Sequence, residues 1–157
     1  MTPQLGSLLE SCRAHARYLL AAQGRLPTPV TAANIAASDD VLVAALDQFA
    51  YRFVRLQDTL GGRLFRRLLV EHFGEPYEDS SLRDVLDRLE KLGVIASAER
   101  WGQFRAMRNA LAHDYPETAE EKAAAIELAR AMSREMALML EAIQALTNDT
   151  TPGSGAR

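Results

Sequence analysis

Apolar residues recur at spacings of three and four through nearly the whole chain, and the alternation of a strand persists nowhere, so the sequence predicts an all-α fold. The longest run is Leu42, Ala45, Phe49, Phe53, Leu56, Leu60, Leu64 and Leu68, entered through the cap cluster Ser38-Asp39-Asp40 and stopped by Gly74. Gly61-Gly62 lies inside it, where each Gly weakens a helix by about 1 kcal/mol relative to Ala. A kink, or a close approach by another helix, is expected there instead of a break.

The remaining helices follow from the same pattern and from their end signals. Leu8, Leu9, Cys12, Ala16, Leu19 and Leu20 stripe a first helix over 5–22, broken by Gly24, Pro27 and Pro29. Ser80-Ser81 caps a short helix buried through Leu82, Val85, Leu86 and Leu89, with Gly93 as its terminator. Ser97 opens another, with Trp101, Phe104 and Leu111 on one face; it must end near His113 or Asp114, because Pro116 biases Tyr115 towards an extended backbone. Thr118 and Glu121 form a capping box for a last helix carrying Ile126, Ala129, Met132, Met136, Met139, Leu140, Ile143 and Leu146. Short connections make antiparallel neighbours, which predicts an up-and-down bundle of four main helices with a shorter one inserted. One domain over 1–147 is expected, its core at roughly 38–147, followed by a disordered tail over 148–157.

Composition narrows the function classes. The 157 residues suit one domain, and no apolar run reaches the length of a bilayer span. Met1 to Ser11 lacks the basic-then-apolar layout of a signal peptide, so a cytoplasmic protein with no membrane partner is expected. A lone Cys12 allows neither an internal disulfide nor a thiolate cluster, and it reads as a small buried residue. No metal-ligand cluster, Gly-rich phosphate loop or nucleophile triad is visible, so no metal or cofactor is expected. His15 and His72 read as ordinary surface or half-buried residues, and Trp101 and the five Met residues as packing. The net charge of −3 argues against wholesale binding of nucleic acid, but Arg52, Arg55, Arg63, Arg66 and Arg67 face only Asp58 in their stretch. Such a local basic face suits a polyanion bound at one place; a solvated helix face is the plainer reading. Asp58 itself is expected to pair within its helix, with Arg55 or Arg63, a supporting role in a groove being the lesser option.

The residues that suggest chemistry are Arg108, Asn109, His113 and Tyr115. Arg108 lies on the apolar stripe of its helix, four residues after Phe104 and three before Leu111, where a charge needs a partner or a cleft. In an ideal helix Arg108 and His113 diverge by roughly 140° and lie roughly 7.5 Å apart along the axis. They meet only if the Arg reaches across, if the helix end distorts, or if a second subunit brings another copy. An Arg, a His and a Tyr thus fall within eight residues at a helix end. The plainer readings are a His capping a helix C-terminus, an Arg paired with an acid from another helix, and a Tyr packed in a turn.

Arg108, Asn109, His113 and Tyr115 match the pattern Arg, four residues with a polar one first, His, any residue, Tyr. In this the chain resembles the HEPN domains, and within them the HepT-like toxins, over roughly residues 38–147. The resemblance implies a metal-independent endoribonuclease that dimerises so that two copies of the motif face each other across a groove. Arg108, His113 and Asn109 would be its catalytic residues. Tyr115 would be the residue to which a partner nucleotidyltransferase antitoxin attaches AMP. Arg52, Arg55, Arg63 and Arg66 are candidates for holding RNA or that partner. The segment before Ser38 has no place in the family pattern. The rival expectation is a non-catalytic helical subunit that binds nucleotide or presents substrate to a nucleotidyltransferase; a third is a plain protein-interaction bundle.

Overall fold

The computed structural model describes residues 3–113 and 116–149, and every regular element among them is helical. Helix α1 spans Pro3–Gln23, α2 Ala32–Ala36, α3 Asp40–Thr59, α4 Phe65–Arg67, α5 Leu82–Lys91, α6 Ala98–Ala112 and α7 Ala119–Asp149. Four of the expected starts are made by the side chains the sequence offers. Asp39 accepts from Leu42 N–H at 2.9 Å, Ser81 from Asp84 N–H, Ser97 from Arg100 N–H and Thr118 from Glu121 N–H, the last three at 3.1 Å. Gly93, at φ 74°, closes α5 in a Schellman motif, its N–H reaching Glu90 O and that of Val94 reaching Leu89 O. Helix α2 has no counterpart in the periodicity; Thr31 and Asn34 cap it reciprocally.

The long rod over 40–72 continues without a break but is not uniformly α-helical. Leu60–Leu64 and Leu68–His72 are π-helical, with Phe65 N–H donating to Leu60 O and Phe73 N–H to Leu68 O, five residues back. The first π turn contains Gly61-Gly62. A Cβ built on Gly61 would lie 2.7 Å from Cζ2 and 2.8 Å from Nε1 of Trp101, so α6 approaches the rod where it has no side chain. Trp101 is 1% exposed and packs edge-on against Phe65 and Phe104, with ring centroids 4.8 and 5.6 Å away.

Helix α1 packs antiparallel on α3, with Arg25 bonded to Gln48 and Arg52 set over Tyr18. Its Leu5, Leu8, Leu9, Cys12, Ala16, Leu19 and Ala22 are buried in the same core as α3, α6 and α7. The segment after α1 is tied to α7: Val30 N–H donates to Glu127 at 2.6 Å, and Arg130 donates to Pro27 O at 2.6 Å. Arg100 joins α6 to α7 through Glu135. Helix α7 runs to Asp149, two residues into the segment expected to be a tail, and 150–157 lie outside the described residues. Among the described residues no helix is long and apolar enough to cross a membrane.

The two glycines of the first π turn should behave oppositely. Gly61→Ala forces a methyl against a rigid buried ring and should destabilise by about 1–3 kcal/mol. Gly62, with nothing within 4 Å of a built Cβ, should tolerate Ala or gain up to about 1 kcal/mol. Thermal unfolding followed by circular dichroism checks this: the melting temperature should drop for Gly61→Ala alone.

Candidate functional site at the end of helix α6

Helix α6 turns Trp101, Phe104, Met107 and Leu111 into the core, and its outer side carries Gln103, Arg105 and Asn109. Arg108 sits at the border of the two, its side chain 24% exposed, and it has found a charge partner on α3. Its Nε donates to Asp58 Oδ1 at 2.8 Å and its Nη2 to Oδ2 at 2.9 Å, a bidentate fork across fifty residues of sequence. The expected local pairing of Asp58 with Arg55 or Arg63 is therefore wrong. Asp58 lies about one turn before Gly61, on the side of α3 that α6 approaches, and a bidentate tertiary partner outcompetes a solvated local one.

The remaining guanidinium nitrogen, Nη1, lies 3.5 Å from His113 Nε2 and 3.5 Å from Asn109 Oδ1. The 140° divergence of an ideal helix is closed within one chain. His113 has left the helix, with φ −132° and ψ −41°, while its N–H still donates to Asn109 O at 2.9 Å. The long Arg side chain spans the rest. Arg108, Asn109, His113 and Asp58 thus converge at one solvent-facing helix end. The Asp58 carboxylate, chiefly through its hydrogen bonds, raises the Arg108 pKa above its ordinary value despite some burial, so the cation is permanent. Asp114 and Tyr115 lie outside the described residues, and with them the fourth position of the motif.

The other arginines serve different neighbours. Arg66 is half-buried, and its Nη1 donates to Tyr77 O at 2.6 Å and Glu78 O at 3.3 Å, holding the loop after the rod. Arg67 pairs with Glu71 and Glu78. Arg52 is half-buried against Tyr18, whereas Arg55 and Arg63 are exposed. Burial pushes the Cys12 thiol up to about 12, which makes it unreactive near neutrality. His15 and His72 are half-buried, and burial, first among the causes, lowers the pKa of each. Among the described residues no group of three or more His, Cys, Asp or Glu is placed to hold a metal ion.

No protein-family model, curated protein or solved structure matches the chain.

The Asp58–Arg108 pair is partly solvated, so it should contribute under about 1 kcal/mol to stability. Urea unfolding of Asp58→Ala and Arg108→Ala should show midpoints near that of the parent chain. A loss of several kcal/mol in either would mark the pair as a structural strut.

Proposed function

We propose that the chain is a metal-independent endoribonuclease of the HEPN type, the toxin of a module whose antitoxin is a nucleotidyltransferase. One observation carries the reading: Arg108 Nη1, His113 Nε2 and Asn109 Oδ1 share one exposed helix end, with the guanidinium held in place from behind by Asp58. On this reading the helices form the family's up-and-down bundle, with α1, α3 and its continuation, α6 and α7 as main members and α5 as the shorter insertion. Two chains meet at the α6 ends, so that two copies of the motif line one groove.

The chemistry is a transesterification. The RNA 2′-hydroxyl gives its proton to the His113 imidazole of one chain and its oxygen bonds to phosphorus. The bond from phosphorus to the 5′-oxygen breaks, and that oxygen takes a proton from the imidazolium of the second copy. Arg108 presents Nη1 to the phosphorane oxygens, where charge accumulates in the transition state. Asn109 orients the imidazole or a phosphate oxygen. Asp58 acts through Arg108 as a positioning residue. The exposed Arg55 and Arg63 are placed along the rod to meet the RNA backbone or an acidic face of the antitoxin. AMP on Tyr115 would bring a phosphate to the groove mouth, where it pairs with Arg108 and displaces RNA.

The neutralising fork to Asp58 is also the observation that favours a second reading, a non-catalytic subunit that binds nucleotide for a separate nucleotidyltransferase, since part of the Arg108 charge is already satisfied. A cleavage assay separates the two. Purified protein should cut single-stranded RNA in EDTA and leave 2′,3′-cyclic phosphate ends. Arg108→Ala and His113→Ala should each lower the rate by about 10²-fold or more. Equal cutting by wild type and both variants would remove the site; no cutting by wild type, with nucleotide bound, would favour the second reading.

Regulation and assembly have their own readouts. Light scattering should give twice 17.3 kDa. Co-expression with the cognate nucleotidyltransferase should add AMP to the Tyr115 peptide, seen by mass spectrometry, and none to Tyr115→Phe. Equal neutralisation of both forms without an adduct would mean inhibition by simple burial of the groove.

A further inference from the structure

On the face that α1 and α3 share, Tyr51 is 55% and Tyr18 41% exposed, and arginines crowd their rings. The Arg52 guanidinium carbon lies 4.5 Å from the Tyr18 ring centroid and 5.2 Å from that of Tyr51, and Arg17 lies 5.0 Å from the Tyr18 ring. Arg17 also reaches the Tyr18 hydroxyl at 3.3 Å. Among the described residues none of Arg17, Arg52 and Arg55 pairs with a carboxylate, whereas Arg67, Arg83, Arg88, Arg100, Arg108 and Arg130 do so. At the floor of the patch, Nε of Arg52 and Nδ1 of His15 are buried without a hydrogen-bond partner. Burial first, and then the positive charge of Arg55 and Arg52, lower the pKa of the His15 imidazole. Three cations, two partly exposed rings and two buried polar atoms without a protein partner thus lie together on one face.

Its position gives the patch direction. Tyr51 precedes Asp58 by seven residues, which on an α-helix is nearly the same face and roughly 10 Å along the axis, with Arg55 between them. The patch therefore runs along α3 towards the Arg108–His113 site.

We propose that Tyr18, Tyr51, Arg17, Arg52 and Arg55 bind single-stranded RNA beside the cleavage site, bases stacking on the two rings and phosphates pairing with the guanidinium groups. This rests on the ribonuclease reading above and extends it to how substrate is held. Stacking on exposed aromatics flanked by arginine is tolerant of sequence, so the contact selects unpaired RNA and not a base sequence. An acidic protein surface would need the charges but would leave the rings without planar partners.

The test is fluorescence anisotropy of the full chain with a labelled 2′-O-methyl oligonucleotide of about 12 nucleotides, within the range of single-strand site sizes and lacking the attacking hydroxyl. Tyr51→Ala and Tyr18→Ala should each weaken binding about 5-fold or more, while Tyr51→Phe, which keeps the ring face, should bind as wild type does. Arg52→Gln should weaken binding and flatten its log–log salt dependence by roughly 0.7. Wild type that does not bind at low salt overturns the proposal. So do folded Tyr and Arg52 variants that bind like wild type. Equal binding of a polyglutamate peptide, unaffected at Tyr51, would assign the arginines to an acidic protein and also overturn it. Failure of the ribonuclease reading looks different: oligonucleotide binding through Tyr51 persists while the matching RNA with free 2′-hydroxyls is left uncut.

Discussion

The contact between Gly61 and the Trp101 ring sets the distance between the rod and α6, and the candidate site is a consequence of that distance. Even a methyl on Gly61 would come within 2.7 Å of a ring that is 1% exposed and wedged against Phe65 and Phe104, so the helices can meet at this level only with glycine there. Since the two run antiparallel, Asp58, about one turn before Gly61, falls opposite Arg108, about two turns after Trp101. The π turn at Leu60–Leu64 sits at the same level. The glycine pair weakens α-helical geometry there, and Thr59 bonds back to Arg55 O at 2.8 Å, which loosens the preceding turn. A π turn beside a group of polar side chains is a recurrent association in functional regions.

Asp58 decides what Arg108 can do. A solvated arginine samples many rotamers and loses that freedom on meeting a phosphate. Here the fork to Asp58 has already fixed the guanidinium plane and left one nitrogen directed at Asn109 and His113. Pre-organisation of this kind favours a group that must meet charge only as it develops. It also lowers the net positive potential around Arg108.

Much of the fold was legible because helix ends have side-chain signatures. Asp39, Ser81, Ser97 and Thr118 each cap the helix that the apolar spacing placed after them, and Gly93 closes the helix before it. Helix α2 was not, since Asn34 replaces the Glu or Gln of the usual reciprocal cap and its five residues are too few to show a period. The π turns escaped because Leu60, Leu64 and Leu68 keep an α-like spacing and are all fully buried across them. Arg108, Asn109 and His113 were legible as a motif. Asp58 was misassigned because Arg55 and Arg63 are its neighbours in sequence, whereas Arg108 is its neighbour only once Gly61 has let α6 in. The bonds of Arg66 to the loop were not legible, because its acceptors are backbone carbonyls, which no residue type announces.

The site stands or falls on where a phosphodiester binds. A crystal structure of the wild-type chain with a 2′-deoxy dinucleotide, which cannot be cleaved through its own sugar, measures this directly. The expected result is a phosphodiester with one oxygen at hydrogen-bond distance from Arg108 Nη1, the 2′ carbon of the adjoining deoxyribose facing His113 Nε2, and the Asp58 fork unbroken. A dinucleotide seated elsewhere, with Arg108 still engaged only by Asp58, would contradict it.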